Sequence, residues 1–153
     1  MLTHLSHCFQ CKGLLQQAIE RELQMQDFSM QIEPRFYETD ALGHINNASI
    51  AAWLEIVRMK YIESLVGADP IQAQHWILAS LQIDFAAETF FGDMVSARVT
   101  GAEPGNTSLT VHCELWQRER LTVRGKAVLV FMDAQTRKPA PLSQALRKAL
   151  AGH

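Results

Sequence analysis

The stretch that decides the fold is residues 46–67, NNASIAAWLEIVRMKYIESLVG. Apolar side chains recur in it every three or four residues, as on the face of an α-helix that packs on a core. Asn46 and Asn47 predict the helix start, because an asparagine side chain accepts hydrogen bonds from the unpaired amides of a first turn. Gly67 predicts the end, with Pro70 just beyond it. The apolar stripe consists of Ile50, Trp53, Leu54, Val57, Tyr61, Ile62 and Leu65.

The apolar period changes from about 3.6 residues to 2 after this helix, which predicts four successive β-strands. The alternating runs are residues 77–85, 95–100, 109–116 and 121–131. Turn-like residues separate them, and such short connections favour antiparallel neighbours. A further strand, Gln31–Tyr37, is predicted before the helix, at an edge of the sheet because Pro34 cannot donate a ladder hydrogen bond. A short amphipathic helix, Ser143–Leu150, is predicted near the end of the chain.

These elements predict an α+β domain in which an antiparallel sheet of about five strands wraps around one long central helix. Residues 29–153 form that domain, and residues 1–28 form an extension with a helical pattern over residues 13–26. Trp53, Met59, Ile62 and Phe85 are expected in the core. The uncovered sheet face and the open strand edges favour self-association, as a homodimer or homotetramer.

Composition and charge narrow the classes of function. The 153 residues carry a formal net charge of −2, which does not favour a nucleic-acid partner, since such partners usually meet a strongly basic face. The sequence has no apolar run long enough for a membrane span and no pattern of a secretory signal. Its three cysteines cannot make a disulfide framework, so a reducing cytoplasm is expected. Cys8 and Cys11 have the spacing of half a zinc site, but the second half is missing, so no metal is expected.

The candidate chemistry lies in residues 35–49, RFYETDALGHINNAS, immediately before the helix. A helix N-terminus presents free backbone amides and a partial positive charge, which stabilise a developing oxyanion. A loop that turns at Gly43 can hold the Asp40 carboxylate beside those amides. Such a pair suffices for acyl transfer, with the acid as nucleophile or as general base toward water. The same residue types also occur as plain turn formers and helix caps, and the residues alone leave both interpretations open.

The segment TDALGHINN, residues 39–47, flanked by Arg35 and by the run WLEIVR at residues 53–58, resembles the hotdog-fold acyl-CoA thioesterases of the 4-hydroxybenzoyl-CoA thioesterase type, in their His-Asn-Asn subgroup. Downstream segments extend the resemblance from about residue 30 to the end: IDF at 83–85, FGD at 91–93, SLT at 108–110, AVLVFMD at 127–133 and KPAP at 138–141. The resemblance implies a hotdog fold, hydrolysis of an acyl-CoA substrate without a cofactor, and active sites at a subunit interface.

Carried over position by position, the resemblance makes Asp40 the catalytic carboxylate, with His44 beside it and the backbone amide of Asn47 facing the thioester carbonyl oxygen. Substrate-binding positions are Gly43, Asn46, Tyr37 and Trp53. The chain departs from many relatives at Ile50, where they have tyrosine. Two other interpretations remain: a hotdog enoyl-CoA hydratase or dehydratase, and a non-catalytic module that binds acyl-CoA or acyl carrier protein.

Overall fold

The long central helix is present where the apolar stripe predicts it. The structure is a computed structural model and describes residues 28–66 and 75–151. Helix α1 runs Asn47–Val66, and its buried side chains are those of the predicted stripe except Leu65, which is partly buried, together with Arg58. Its predicted end at Gly67, like the predicted N-terminal extension and its helix over residues 13–26, lies outside the described residues.

Five strands form one antiparallel sheet in the order β1-β3-β4-β5-β2, which confirms the predicted α+β class. A second helix, α2, runs Gln144–Ala151 close to the predicted range and contacts α1 and β3. The Ser143 hydroxyl begins it by accepting the amide of Leu146 at 3.1 Å. The strands are β1 Ser29–Ile32, β2 Trp76–Phe85, β3 Val95–Pro104, β4 Ser108–Gln117 and β5 Arg120–Phe131.

The core lies between α1 and the inward faces of the central strands. Alternate residues of β3 and β4 point at the helix, as their period of two requires. Gly125 of β5 lies directly under the helix, where a Cβ atom would come within 2.8 Å of the Leu54 side chain. The buried inward residues of β3 and β4 are Val95, Ala97, Val99, Leu109, Val111, Cys113 and Leu115.

Two predictions on the sheet are wrong in detail. The predicted strand Gln31–Tyr37 ends at Ile32, and residues Phe36–Glu38 form a short 3-10 turn beyond Pro34. Phe85 is 57% exposed, although its place in an alternating run predicts the core. The reason is position in the sheet: β2 is an edge strand, and within the described residues no element covers Phe85 fully.

The connections between strands follow their turn residues. Arg118 and Glu119 form a two-residue hairpin loop between β4 and β5, and both have positive φ angles (51° and 60°). Two such residues produce the twist that antiparallel neighbours need. In the described part of the chain, no helix is both long enough and apolar enough to cross a lipid bilayer.

Candidate active site

Asp40 organises the turn that precedes α1. Its Oδ1 accepts the backbone amides of Leu42 at 2.8 Å and His44 at 3.0 Å, and its own carbonyl accepts the amide of Gly43 at 3.1 Å. Gly43 has a φ of +81°, in the region that glycine enters without strain. The turn therefore uses one carboxylate oxygen, and the described residues provide no hydrogen-bond donor to the other oxygen, Oδ2.

Asn46 is the N-cap of α1. Its Oδ1 accepts the amide of Ser49 at 2.8 Å, and its Nδ2 donates to the carbonyl of Glu38 at 2.7 Å. The cap satisfies only one of the free amides of the first turn. No acceptor for the amides of Asn47 and Ala48 is found among the described residues, so they form the positive end of the helix.

One cavity of about 750 Å³ brings these groups together. Four of the predicted residues line it: Asp40, His44, Asn46 and Asn47. The remaining lining residues come from α1 and the residue before its N-cap, from the end of β2 and the loop after it, and from the first residue of β5. They are Ile45, Ile50, Phe85, Ala87, Glu88, Thr89 and Arg120. The residue with a free carboxylate oxygen and the first residue of the helix thus line the same cavity.

The loop after β2 forms the second wall of the cavity and is held at both ends. The amides of Ala86 and Ala87 donate to the carbonyl of Thr122 at 2.8 and 3.0 Å. The carbonyl of Thr89 accepts the amide of Ile45 at 2.8 Å, which ties the loop to the segment that precedes α1. The two walls are therefore joined through the backbone.

Gln117, at the end of β4, holds the same loop from inside. Its side chain is 5% exposed, and its Oε1 accepts the amide of Phe90 at 2.9 Å. Its Nε2 donates to the carbonyls of Phe90 and Asp93 at 2.8 and 2.9 Å. One buried amide thus satisfies three backbone groups of an irregular segment.

The structure does not bring every predicted residue to the cavity. Trp53 is buried on α1, and its Nε1 donates to Oε1 of Glu38 at 2.9 Å, so it supports the loop from behind. Tyr37 is 70% exposed, and its hydroxyl accepts from the Arg35 guanidinium. Gly43 acts through the turn geometry rather than as a lining residue.

Three polar lining residues were not predicted as part of the site: Glu88, Thr89 and Arg120. Glu88 Oε1 lies 3.8 Å from Nε2 of His44. The Thr89 hydroxyl is buried and has no hydrogen-bond partner within the described part of the chain. The only sequence signal for Arg120 is its place in a basic cluster around one hairpin, Arg118, Arg120, Arg124 and Lys126, and nothing in a single sequence marks the other two.

The basic cluster does not act as one surface. Arg118 pairs with Asp93, and Nε of Arg124 lies 3.4 Å from Oε1 of Glu114. Arg120 alone among them lines the cavity. The described residues hold no group of three or more His, Cys, Asp or Glu side chains that could bind a metal ion.

Solved structures of other proteins share this fold. A predicted thioesterase from Bacillus stearothermophilus is 29% identical, covers 83% of this chain and 96% of its own length, and has a TM-score of 0.76. A thioesterase from Thermus thermophilus, complexed with coenzyme A and Zn, is 27% identical over 80% of this chain and 95% of that one, with a TM-score of 0.72. A 1,4-dihydroxy-2-naphthoyl-CoA thioesterase from Synechocystis is 21% identical over 82% of this chain and 96% of that one, with a TM-score of 0.70, and shows the shared fold alone.

Sequence comparison adds a relative and a family. The uncharacterized protein YsmA of Bacillus subtilis is 29% identical over 85 residues, which are 56% of this chain and 58% of that protein. The chain thus spans little more than half the length of that relative. Residues 34–150 match the Thioesterase-like superfamily, and this match covers helix α1, four of the five strands and the cavity. With the hotdog fold shared by its structural neighbours, the chain belongs to the Thioesterase-like superfamily.

Proposed function

We propose that this protein is an acyl-CoA thioesterase that hydrolyses its substrate to a free acid and CoA. The observation that carries the proposal is that Asp40, whose Oδ1 alone is used by the turn, and Asn47, the first residue of α1, line one cavity. Hydrolysis of a thioester requires a base or nucleophile near the carbonyl carbon and a hydrogen-bond donor to the carbonyl oxygen. Both are met within one local segment.

In the proposed reaction, the thioester oxygen accepts hydrogen bonds from the amides of Asn47 and Ala48. Because Oδ1 of Asp40 is used by the turn, Oδ2 is the reacting oxygen. In one route Oδ2 attacks the carbonyl carbon and the carbon–sulfur bond breaks, which leaves an anhydride between Asp40 and the acyl group that a water molecule then hydrolyses to the free acid. In the other route Oδ2 removes a proton from a water molecule that attacks the carbonyl carbon, and the carbon–sulfur bond breaks to give the free acid directly. In both routes the CoA thiolate takes up one proton that this water supplies. His44, on the same cavity wall, is the nearest imidazole to this exchange.

The other predicted site residues have different roles in positioning the catalytic groups and in binding the substrate. Asn46 fixes the start of the helix and thereby aims the free amides. Gly43 allows the tight turn that brings the carboxylate and His44 together. Trp53 supports this loop through Glu38. Arg120, at the mouth of the cavity, provides a cation for the CoA phosphates. Tyr37, which is exposed and outside the cavity lining, would contact a part of the substrate that extends beyond the cavity.

We further propose that the working form is a homodimer formed through the edge strand β2, or a tetramer of such dimers. Ile77, Leu78 and Phe85 of this strand are 54%, 40% and 57% exposed, an apolar edge of the kind that pairs with a second chain. Phe85 also lines the cavity, so a partner at this edge would extend the cavity wall. Leu78→Lys places a charge in this edge and is expected to shift the protein toward monomer in sedimentation experiments.

A thiol-release screen over short-chain, long-chain and aromatic acyl-CoAs tests the reaction and finds the substrate. Asp40→Asn keeps the turn-forming carbonyl oxygen but removes the base, and we expect kcat to fall by about 10²–10⁴-fold. Asp84→Asn is the matched control, because Asp84 is an exposed aspartate on β2 outside the cavity. Full turnover by the Asp40→Asn protein would exclude Asp40 as the catalytic carboxylate.

One observation favours a second function, a non-catalytic module that binds acyl-CoA. The Asp40 carboxylate already has a structural task in the turn, which on its own explains an aspartate at that position. This alternative predicts acyl-CoA binding by calorimetry with no release of thiol across the whole screen. A hotdog hydratase would instead consume enoyl-CoA without thiol release. The cytoplasmic location remains a prediction from the sequence.

A further inference from the structure

Glu88 belongs to the cavity, and no role follows for it from the proposed reaction. It lies in the loop after β2, and its Oε1 is 3.8 Å from Nε2 of His44. Both side chains line the cavity that holds Asp40. The pair thus places a second carboxylate within reach of the imidazole that is closest to the proposed chemistry.

The backbone on both sides of Glu88 is fixed. The preceding residue, Ala87, donates to the Thr122 carbonyl at 3.0 Å, and the following residue, Thr89, accepts from Ile45 at 2.8 Å. These two hydrogen bonds fix the position of the Glu88 backbone relative to the cavity. The Glu88 side chain is itself 61% exposed, and its approach to His44 is an electrostatic contact that the arrangement of the two walls makes possible.

The backbone of His44 is held in the same way, but packing alone does not determine the orientation of its imidazole ring. Its amide donates to Asp40 Oδ1, and its carbonyl accepts the Asp40 amide at 2.7 Å. Its ring meets the edge of Phe90 at 5.2 Å between centroids and an interplanar angle of 76°. A rotation of the imidazole by 180° about χ2 preserves this aromatic contact but places Cε1 where Nε2 was and Cδ2 where Nδ1 was, so that a C–H group instead of a nitrogen faces Glu88.

A carboxylate distinguishes these two ring orientations, because it favours a protonated nitrogen facing it. With the proton on Nε2 facing Glu88, the neutral ring has Nδ1 as an acceptor. We propose that Glu88 is a positioning residue that sets the orientation and tautomer of His44 in the cavity. This proposal rests on the proposed thioesterase function for its consequence in catalysis, although the geometry itself is independent of it.

A double-mutant cycle measures whether Glu88 acts through His44. Glu88→Gln removes the charge with little change in shape, and we expect kcat to fall by about fivefold to tenfold, as for other coupled side-chain pairs, with KM nearly unchanged. In a His44→Ala background the same substitution is expected to change kcat by less than about twofold. Glu88→Asp keeps a carboxylate and should recover part of the loss.

The matched control is the other histidine–glutamate contact of the described chain, between His112 and Glu103 at 3.4 Å. It lies on the sheet, away from the cavity lining. Glu103→Gln should leave kcat and KM unchanged. Equal losses from Glu88→Gln with and without His44, or no loss in either background, would overturn the proposal.

Nitrogen-15 NMR of the His44 ring separates failure of this proposal from failure of the thioesterase function. We expect a protonated Nε2 in the unmodified protein and a weaker preference in Glu88→Gln. If the protein shows no turnover but the tautomer depends on Glu88, the function is wrong and the positioning role holds. Identical ring spectra for the two proteins would refute the positioning role whatever the activity.

Discussion

Replacing Gln117 by methionine tests the buried clamp that holds the second cavity wall. Methionine preserves the length of the side chain and removes every hydrogen bond of the amide. The amide and carbonyl of Phe90 and the carbonyl of Asp93 then lose their partner at once. The packing of the core changes little, so the effect reports the three hydrogen bonds.

The size of the effect follows from the burial of these groups. An unsatisfied buried polar group costs about 1–3 kcal/mol. Phe90 is 38% exposed, so water can replace part of what is lost, and the apolar methionine regains some stability by its burial. Three backbone groups lose a partner, and each costs about 1 kcal/mol if the low end of the range applies. We therefore expect the free energy of unfolding to fall by about 2–4 kcal/mol. For a chain of this size that lowers Tm by about 6–12 °C.

Urea unfolding and thermal melting measure the change, and thiol release measures its consequence for the cavity. The loss of the clamp should also lower kcat/KM, because Glu88 and Thr89 lie in the loop that it holds. Gln82→Met is the control, since Gln82 is an exposed glutamine whose amide lies 3.1 Å from Asp84, and its effect should stay within about 0.5 kcal/mol. A Gln117→Met protein that melts within a degree of the original would refute the reasoning.

Other predictions concern the core. Gly125→Ala forces a methyl group against the Leu54 side chain of α1, and denaturant titration should show that the free energy of unfolding falls by about 1–3 kcal/mol. Unchanged stability would mean that α1 does not lie so close to β5. Thr122→Val removes the hydrogen bond to the Leu115 carbonyl and should lower the free energy of unfolding by about 1 kcal/mol. Thr89→Val removes a buried hydroxyl that has no hydrogen-bond partner in the described part of the chain, and it should leave stability unchanged or raise it. A larger loss from Thr89→Val than from Thr122→Val would contradict these hydrogen-bond assignments. Burial raises the pKa of Cys113 to about 12, so alkylation at pH 8, located by mass spectrometry, should reach this thiol only after unfolding. The same shift implies that its contribution to stability is full at pH 8 and is lost as the pH rises from about 9 toward 12.

The error on the burial of Phe85 has a physical origin in the sheet. Alternation in a strand shows which residues share a face, but exposure depends on what covers that face. Phe85 lies on an edge strand and remains largely exposed, whereas Leu109 and Leu115 have the same kind of pattern on a central strand and are fully buried. A period of two determines a face, and the neighbours of the strand determine burial.

The sequence by itself determined the parts of this protein that depend on local interactions. Three features arise from residues that are close in sequence and therefore close in space. They are the helix Asn47–Val66, the alternation of β3 and β4, and the grouping of Asp40 with the start of the helix. Only the tertiary structure decided that Glu88, Thr89 and Arg120 meet that group. Their place depends on the pairing register of β2 with β5 and on the clamp from Gln117, which are contacts between residues far apart in the chain. Such contacts depend on how all five strands pair at once, and no local pattern in the sequence encodes them.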